Sequence, residues 1–329
     1  MYEKFSHFLD GKKHLCIIQA ENPDGDSLGS AIALDYILTN TQNSLYCPID
    51  IPQYLHYFDD WSRVSSDFDY KADGYIIVDT AASILLSKLL EDSAIRNCLY
   101  SKPVFVFDHH ESEDDLDFSH EAIIEPRPAC ADLIYHVAKA NNLTVSVEAA
   151  SVIYSAISSD TLGLVSASVT AETMRTMAEL IDCGANPAKL EEHRRDFMKK
   201  SPRILDYKAD LIKRIEYSLD GQLATVHIPF EDIQTYSQEY NPGVLILEEM
   251  RMVEGVEIAV VIKTYPDGKV TGKIRASAPI AERVAGYFGG GGHHYAAGFR
   301  TYDTDYAEVL SDLVKIVPDL LANVTEDSL

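Results

Sequence analysis

Val104-Phe105-Val106-Phe107-Asp108-His109-His110 is a run of four apolar residues that ends in an acid and two histidines. The apolar part does not alternate with polar residues, as a half-solvated strand would. It reads as a strand buried on both faces, the pattern of a parallel sheet covered by helices. Tyr75-Ile76-Ile77-Val78-Asp79 repeats the arrangement, and Leu15-Cys16-Ile17-Ile18 runs into Asn22-Pro23-Asp24-Gly25-Asp26. Residues 44–47 are a further strand candidate. Helical patterns fall between and after these runs, over 28–38 with Ser27 as N-cap, 131–140, 147–158, and 171–183 between Thr170 and Gly184.

From 189 to 215 the chain is charged and helical in spacing. It carries the densest basic cluster, His193-Arg194-Arg195 and Lys199-Lys200, read as a solvated face in a connector. Beyond it the texture changes. Residues 223–228, 257–264 and 270–277 read as strands, the last two joined by the turn Pro266-Asp267-Gly268-Lys269. A short helix over 280–288 ends in Gly289-Gly290-Gly291-Gly292-His293-His294, and a helix over 306–321 contains Pro318, expected to kink it. The fold expected is α/β, with an N-terminal parallel-sheet domain carrying helices on both faces and a smaller α/β C-terminal domain. The boundaries expected are 1–190, a helical connector 191–208, and 209–329.

Composition narrows the function. The 329 residues carry 52 acidic against 28 basic side chains, a formal net charge of −24. Long nucleic acid binds by phosphate neutralisation, so such a surface opposes it. A small phosphorylated ligand is compatible if positive charge gathers in one cleft. No stretch approaches the apolar length of a membrane helix, and the N-terminus lacks a signal-peptide core. A cytoplasmic protein is expected. The five widely spaced cysteines make neither a disulfide frame nor a zinc site and read as small buried hydrophobes.

The acids and histidines fall where ligands bind in open parallel sheets, outside the carboxyl ends of the strands. Three strands deliver Asp24 and Asp26, Asp79, and Asp108 with His109 and His110. The helix over 147–158 ends at Ser159-Asp160. Carboxylates so packed repel, and one or two divalent cations would remove the repulsion. Oxygen ligands with an imidazole suit Mn²⁺ or Mg²⁺. Two such ions with a bridging water form the usual arrangement for phosphate-ester hydrolysis. The glycine run, set between a helix and an apolar strand-like segment, reads as a tight cradle whose bare N–H groups approach a phosphate. Arg275 is placed to clamp that phosphate, and His293 to add a donor.

In this order the motifs resemble the DHH phosphoesterase superfamily, over nearly the whole chain. They are 22–30 (Asn-Pro-Asp-Gly-Asp-Ser-Leu-Gly-Ser), Val78-Asp79-Thr80, Asp108-His109-His110, Ser159-Asp160-Thr161, and the glycine run with His293. The two-domain length is similar to the branch that degrades very short RNA and dephosphorylates pAp. The resemblance implies a Mn²⁺-dependent hydrolase with two ions per chain, Mg²⁺ being a substitute. Asp24, Asp26, Asp79, His109 and Asp160 would be metal ligands, with Asp79 bridging. Asp108, His109 and His110 would be catalytic, Asp108 and His110 orienting and polarising the site. Arg275, Ser277, Gly290, Gly291, Gly292 and His293 would bind substrate, in a cleft between the domains. Short RNA or small nucleotides are the partners implied, without long DNA or membrane, in a homodimer.

One position departs from the pattern. Many relatives carry a histidine ligand two residues before Asn-Pro-Asp, where this chain has Ala20, and neither Gln19 nor Glu21 is obviously aimed inward. The first metal site is therefore expected to be weakened. Asp132 stands where glutamate is commoner, with little consequence expected. The alternatives are a cyclic-dinucleotide phosphodiesterase and a nucleotide-binding protein of weak activity.

Overall fold

A computed structural model describes residues 2–110, 114–302 and 304–324; the side chain of His293 also lies outside the described set. The chain divides into two compact units, residues 1–199 and 200–329.

The first unit is built on a six-stranded sheet of β1 (His14–Ile18), β2 (Gln42–Tyr46), β3 (Val64–Ser65), β4 (Gly74–Val78), β5 (Val104–Asp108) and β6 (Glu121–Ile124). Every pairing is parallel, in the order β3-β2-β1-β4-β5-β6. The central strands bury both faces. Leu15, Ile17, Ile76, Val78, Phe105 and Phe107 enter one apolar cluster, and Cys16, Ile18, Tyr75, Ile77, Val104 and Val106 enter another. The chain winds outward from β1 to β3, then returns to β4 and winds the other way. The order therefore reverses between β1 and β4, where open parallel sheets form their ligand crevice.

The helix after β1 spans Gly25–Ile37 and is capped by Asp24, not by Ser27. Asp24 Oδ1 accepts the N–H groups of Asp26 and Ser27, and Ser27 Oγ accepts the Asp24 N–H, which closes a capping box. The apolar periodicity from Leu28 hid this start, because the first turn is buried by its neighbours rather than by its own apolar side chains. Gly25 and Gly29 let it approach the helix Val147–Asp160. A Cβ on Gly29 would lie 2.6 Å from the Ala156 Cβ.

The second unit holds β7 (Glu216–Ser218), β8 (Leu223–Ile228), β9 (Ile258–Thr264), β10 (Val270–Ala276), β11 (Gly291–His293) and β12 (Ala296–Thr301), in the order β11-β12-β10-β9-β8-β7. Only β8 and β9 pair in parallel. The β9–β10 hairpin turns at Gly268, with φ of +76°. The charged segment read as a connector forms two helices, Pro187–Phe197 and Pro202–Lys213, separated at the proline. Arg194 and Arg195 both pair with Glu191 on the first of these. The final helix, Tyr306–Ala322, continues through Pro318. The cysteines are all free, and Cys16, Cys47 and Cys130 are buried. Among the described residues, no helix is long and apolar enough to cross a membrane.

Candidate metal centre

Four side chains from four elements converge beyond the strand ends at the reversal of strand order. His109 Nε2 lies 3.3 Å from Asp79 Oδ1, 3.6 Å from Asp26 Oδ2 and 3.8 Å from Asp160 Oδ2. Asp26, His109 and Asp160 offer one candidate donor set, and Asp79, His109 and His110 another. Asp24 stands at the helix cap with Oδ1 engaged, and its charge acts on Asp26, Asp79 and Asp160.

Local structure fixes each donor. Asp79 follows β4 with φ of +66°, a left-handed backbone that aspartate tolerates better than most residues. Asp26 is buried and receives the Cys130 and Ala131 N–H groups, at 2.5 and 3.0 Å, from the first turn of the helix Cys130–Ala140. His109 Nδ1 lies 2.8 Å from the Arg127 carbonyl. As donor there, Nδ1 leaves the Nε2 lone pair facing the carboxylates. Asp108 ends β5 fully buried, bonded to the Ala81 N–H and to the His110 backbone and ring. Asp160 is the last residue of its helix, where the negative dipole end opposes a carboxylate.

The electrostatics are those of a site short of positive charge. Burial raises the Asp26 carboxyl to about 6; His109 opposes the rise, and Asp160 and Asp24 add to it. Asp79 is raised well above the carboxylate range by burial and by Asp26, and Asp160 is raised by burial. His109 rises to about 10: burial works against it, but the close Asp79 carboxyl and the Asp26 and Asp79 charges prevail. Asp108 moves the other way, held low against burial by its bonds from His110. Among the described residues the buried Asp79 Oδ1 makes no well-aligned hydrogen bond, His109 Nε2 standing 3.3 Å away. A hard divalent cation supplies what these atoms lack, and the donor chemistry fits one.

A pH dependence follows. The His109 proton must leave before its nitrogen can bind a metal. Apparent Mn²⁺ affinity is expected to rise at least about tenfold per pH unit between pH 6 and 8 from the His109 proton, and more steeply wherever the raised Asp79 and Asp26 carboxyls also hold protons. Calorimetry in buffers of different ionisation enthalpy measures the protons released; an affinity flat across this range contradicts the assignment.

Arg127 was not anticipated from the sequence. Its guanidinium joins Glu125, Glu172 and the buried Asp132, while its carbonyl aims His109. Nothing local in the sequence ties Arg127 to His109, 18 residues earlier. Gln19, not obviously aimed inward from the sequence, is fully buried, and among the described residues neither of its amide atoms has a hydrogen-bond partner. Glu21 binds Ser87 and the Lys88 N–H. A cavity of about 650 Å³ opens at Ser158 and Ser159, beside Asp160 in sequence, with Tyr57, Tyr154 and Arg194 on its walls.

The sequence-predicted substrate residues lie in the second unit. Arg275 pairs across the sheet with Ala296, which pairs with His293, so 275 and 293 occupy one row two strands apart. Arg275 donates to the Ile274 carbonyl and faces Glu248 at 3.6 Å. Ser277 is exposed, and its N–H binds the Glu257 carbonyl. The glycine run differs from expectation. Gly289, with φ of +74°, and Gly290 end the helix Ala281–Tyr287 by donating to the Gly286 and Ala285 carbonyls, a Schellman arrangement. The Gly290 N–H is thus already engaged, not bare. Gly291 and Gly292 open β11.

Residues 14–157 match the DHH family, N-terminal domain, and residues 233–323 match the DHHA1 domain. The chain is 24% identical over 302 residues to a bifunctional oligoribonuclease and PAP phosphatase NrnA of Thermus thermophilus, covering 91% of this chain and 88% of that one. It is 28% identical over 221 residues to a probable manganese-dependent inorganic pyrophosphatase of Enterococcus faecalis, covering 63% and 67%. A crystal structure of an exopolyphosphatase-related protein from Bacteroides fragilis has the same fold, with a TM-score of 0.84 at 18% identity over 98% of this chain and 97% of that one.

Proposed function

The chain belongs to the DHH family, and from that premise we propose that it is a metal-dependent phosphoesterase acting on short oligoribonucleotides and on the 3′-phosphate of pAp. The observation that carries the reading is the convergence of Asp26, Asp79, His109 and Asp160, with the buried Asp79 Oδ1 3.3 Å from His109 Nε2 and in no well-aligned hydrogen bond among the described residues. The NrnA relative, matched along most of both chains, supports the substrate class. The manganese-dependent relative supports the metal.

Asp24, Asp26, Asp79, His109 and Asp160 would hold the ions, with Asp79 shared. Bound there, divalent ions acidify a water and neutralise phosphate charge. The chain does the rest. The Arg127 carbonyl holds the His109 ring in the ligating orientation. Asp108 grips His110 Nδ1 at 2.7 Å and leaves that half-exposed ring to meet the substrate and give a proton to the leaving oxygen. The Ala20 side chain supplies no donor, so Asp24 and Asp26 would hold an ion with one ligand fewer and more weakly.

The test is hydrolysis with saturating Mn²⁺ of di- to pentaribonucleotides, pAp, pApA and cyclic di-AMP, with His109→Ala alongside. Mononucleotide release from the short RNAs, lost in the variant, is the expected result. Turnover of none of them above the variant would overturn the proposal, and cleavage of cyclic di-AMP alone would replace its substrate class.

A further inference from the structure

Among the described residues, Gln19 alone leaves two buried side-chain polar atoms, Oε1 and Nε2, without a hydrogen-bond partner. The residue is fully buried, so bulk water does not replace the bonds its amide lacks. Its N–H donates to the Tyr46 carbonyl, which carries the β1 ladder one step past Ile18. Side chains alternate along a strand. Leu15 and Ile17 face the apolar cluster that includes Leu28 and Ile32 of the helix Gly25–Ile37, and Gln19 falls on that face. Ile18 pairs with Ile77, so Gln19 stands level with Val78, one residue short of Asp79. Asp26 occupies the buried first turn of the same helix.

The near neighbours do not use the amide. Toward the start of the strand they are Ile17 and Ile76, both apolar. Cys47, level with Gln19 beyond β2, turns its Sγ to the Ala20 carbonyl. Past the end of the strand lie Asp24, Asp26 and Asp79, a group short of positive charge. It contains another buried atom in no well-aligned hydrogen bond, Asp79 Oδ1. The residues after Gln19 add no donor to that group: the Ala20 side chain has none, and Glu21 is spent on Ser87 and the Lys88 N–H. A carboxamide oxygen is a hard donor of the kind that Mn²⁺ and Mg²⁺ accept. It is also neutral. Asp24, Asp26, Asp79 and Asp160 would already balance two divalent ions in charge, so an uncharged donor adds a bond and no repulsion.

We propose that Gln19 Oε1 is a ligand of the ion that Asp24 and Asp26 would hold. The assignment rests on the metal-dependent reading of the site and restores one oxygen to the side that Ala20 leaves short. The unpaired amide is then a cost of the metal-free chain, relieved when the ion enters. Carbonyl oxygen suits Mn²⁺ and Mg²⁺, whereas imidazole suits zinc and its neighbours, so an amide here biases the site toward the harder metals.

The experiment titrates the metal-free full chain with Mn²⁺ by calorimetry at pH 7.5 and melts the same samples with and without the ion. Gln19→Met removes the amide and nearly keeps the volume. It should weaken one Mn²⁺ about tenfold or more and leave the other nearly unchanged. In chelator it should melt a few degrees higher than the wild type, because two unpaired buried atoms are gone. The gain in Tm on adding Mn²⁺ should shrink accordingly. Gln19→Glu keeps an oxygen donor at the same reach and should keep that ion. Mn²⁺ held as tightly by Gln19→Met as by the wild type overturns the ligand. So does a Gln19→Met chain that melts lower in chelator and loses both ions together, or a Gln19→Glu chain that loses the ion as fully as Gln19→Met; each marks Gln19 as structural. A wild type that binds no Mn²⁺ defeats the metal-dependent reading and the ligand with it, whereas the other outcomes leave that reading standing.

Discussion

Asp79→Asn is expected to reduce turnover on the order of 10³-fold or more while making the metal-free protein more stable. The two effects share one cause. Among the described residues the buried Asp79 Oδ1 makes no well-aligned hydrogen bond, and it lies beside Asp26 and within the field of Asp24. A carboxyl raised above its unfolded value destabilises the fold as pH climbs past that unfolded value, near 4. The penalty grows until pH passes the raised folded value. Asparagine removes the charge and keeps the shape. It also tolerates the φ of +66°, so the change adds no backbone strain. His109 keeps Asp26 and Asp160 as partners. A gain of about 1–2 kcal/mol, a few degrees in Tm, is expected in chelator at pH 7.5. Mn²⁺ should stabilise the wild type far more than the variant. Calorimetric melts with and without Mn²⁺, beside turnover, check both halves. A variant less stable than wild type without metal would refute the electrostatic account.

Gly290→Ala is the second large effect, and it concerns the fold of the second unit. A Cβ there would lie 2.2 Å from the Gly298 carbonyl oxygen and 2.6 Å from the Phe299 Cα. Both are backbone atoms of β12, which cannot turn aside as a side chain can. A loss of about 3 kcal/mol or more is expected, roughly 10 °C in the melting of this unit. Gly291→Ala meets nothing within 4 Å and has no left-handed φ to lose. It should stay within about 0.5 kcal/mol of wild type. Equal stability of the two variants would show that the close approach is not needed. Gly290 is thus required by packing, whatever it also contributes to a ligand.

The glycines show where sequence reading reached its limit. Four in a row signalled tight backbone, and the backbone is tight, but its closest neighbours are β12 and the end of a helix rather than an open anion cradle. Their partners sit across a sheet, and sheet register is not written in the glycines themselves. The parallel sheet was legible because β1, β4 and β5 are apolar without alternation, which only two-sided burial explains. β3 and β6 were not, being short edge strands without a distinctive apolar run. The donors at the strand ends were legible because a strand's end fixes where its next residue emerges. The Arg127 carbonyl and the buried Gln19 were not, because backbone acceptors have no residue code and a lone glutamine reads as surface.

The candidate centre draws on residues from Asp26 to Asp160, and its helix clamp on Cys130 and Ala131. At about 5–20 residues per second, a ribosome needs roughly 7–27 s to carry synthesis from the first donor to the last. A nascent chain in that interval holds acids that repel one another and no complete set to capture an ion. Metal capture in the cell is thus a late event, and the ion would select chains whose first unit has already closed.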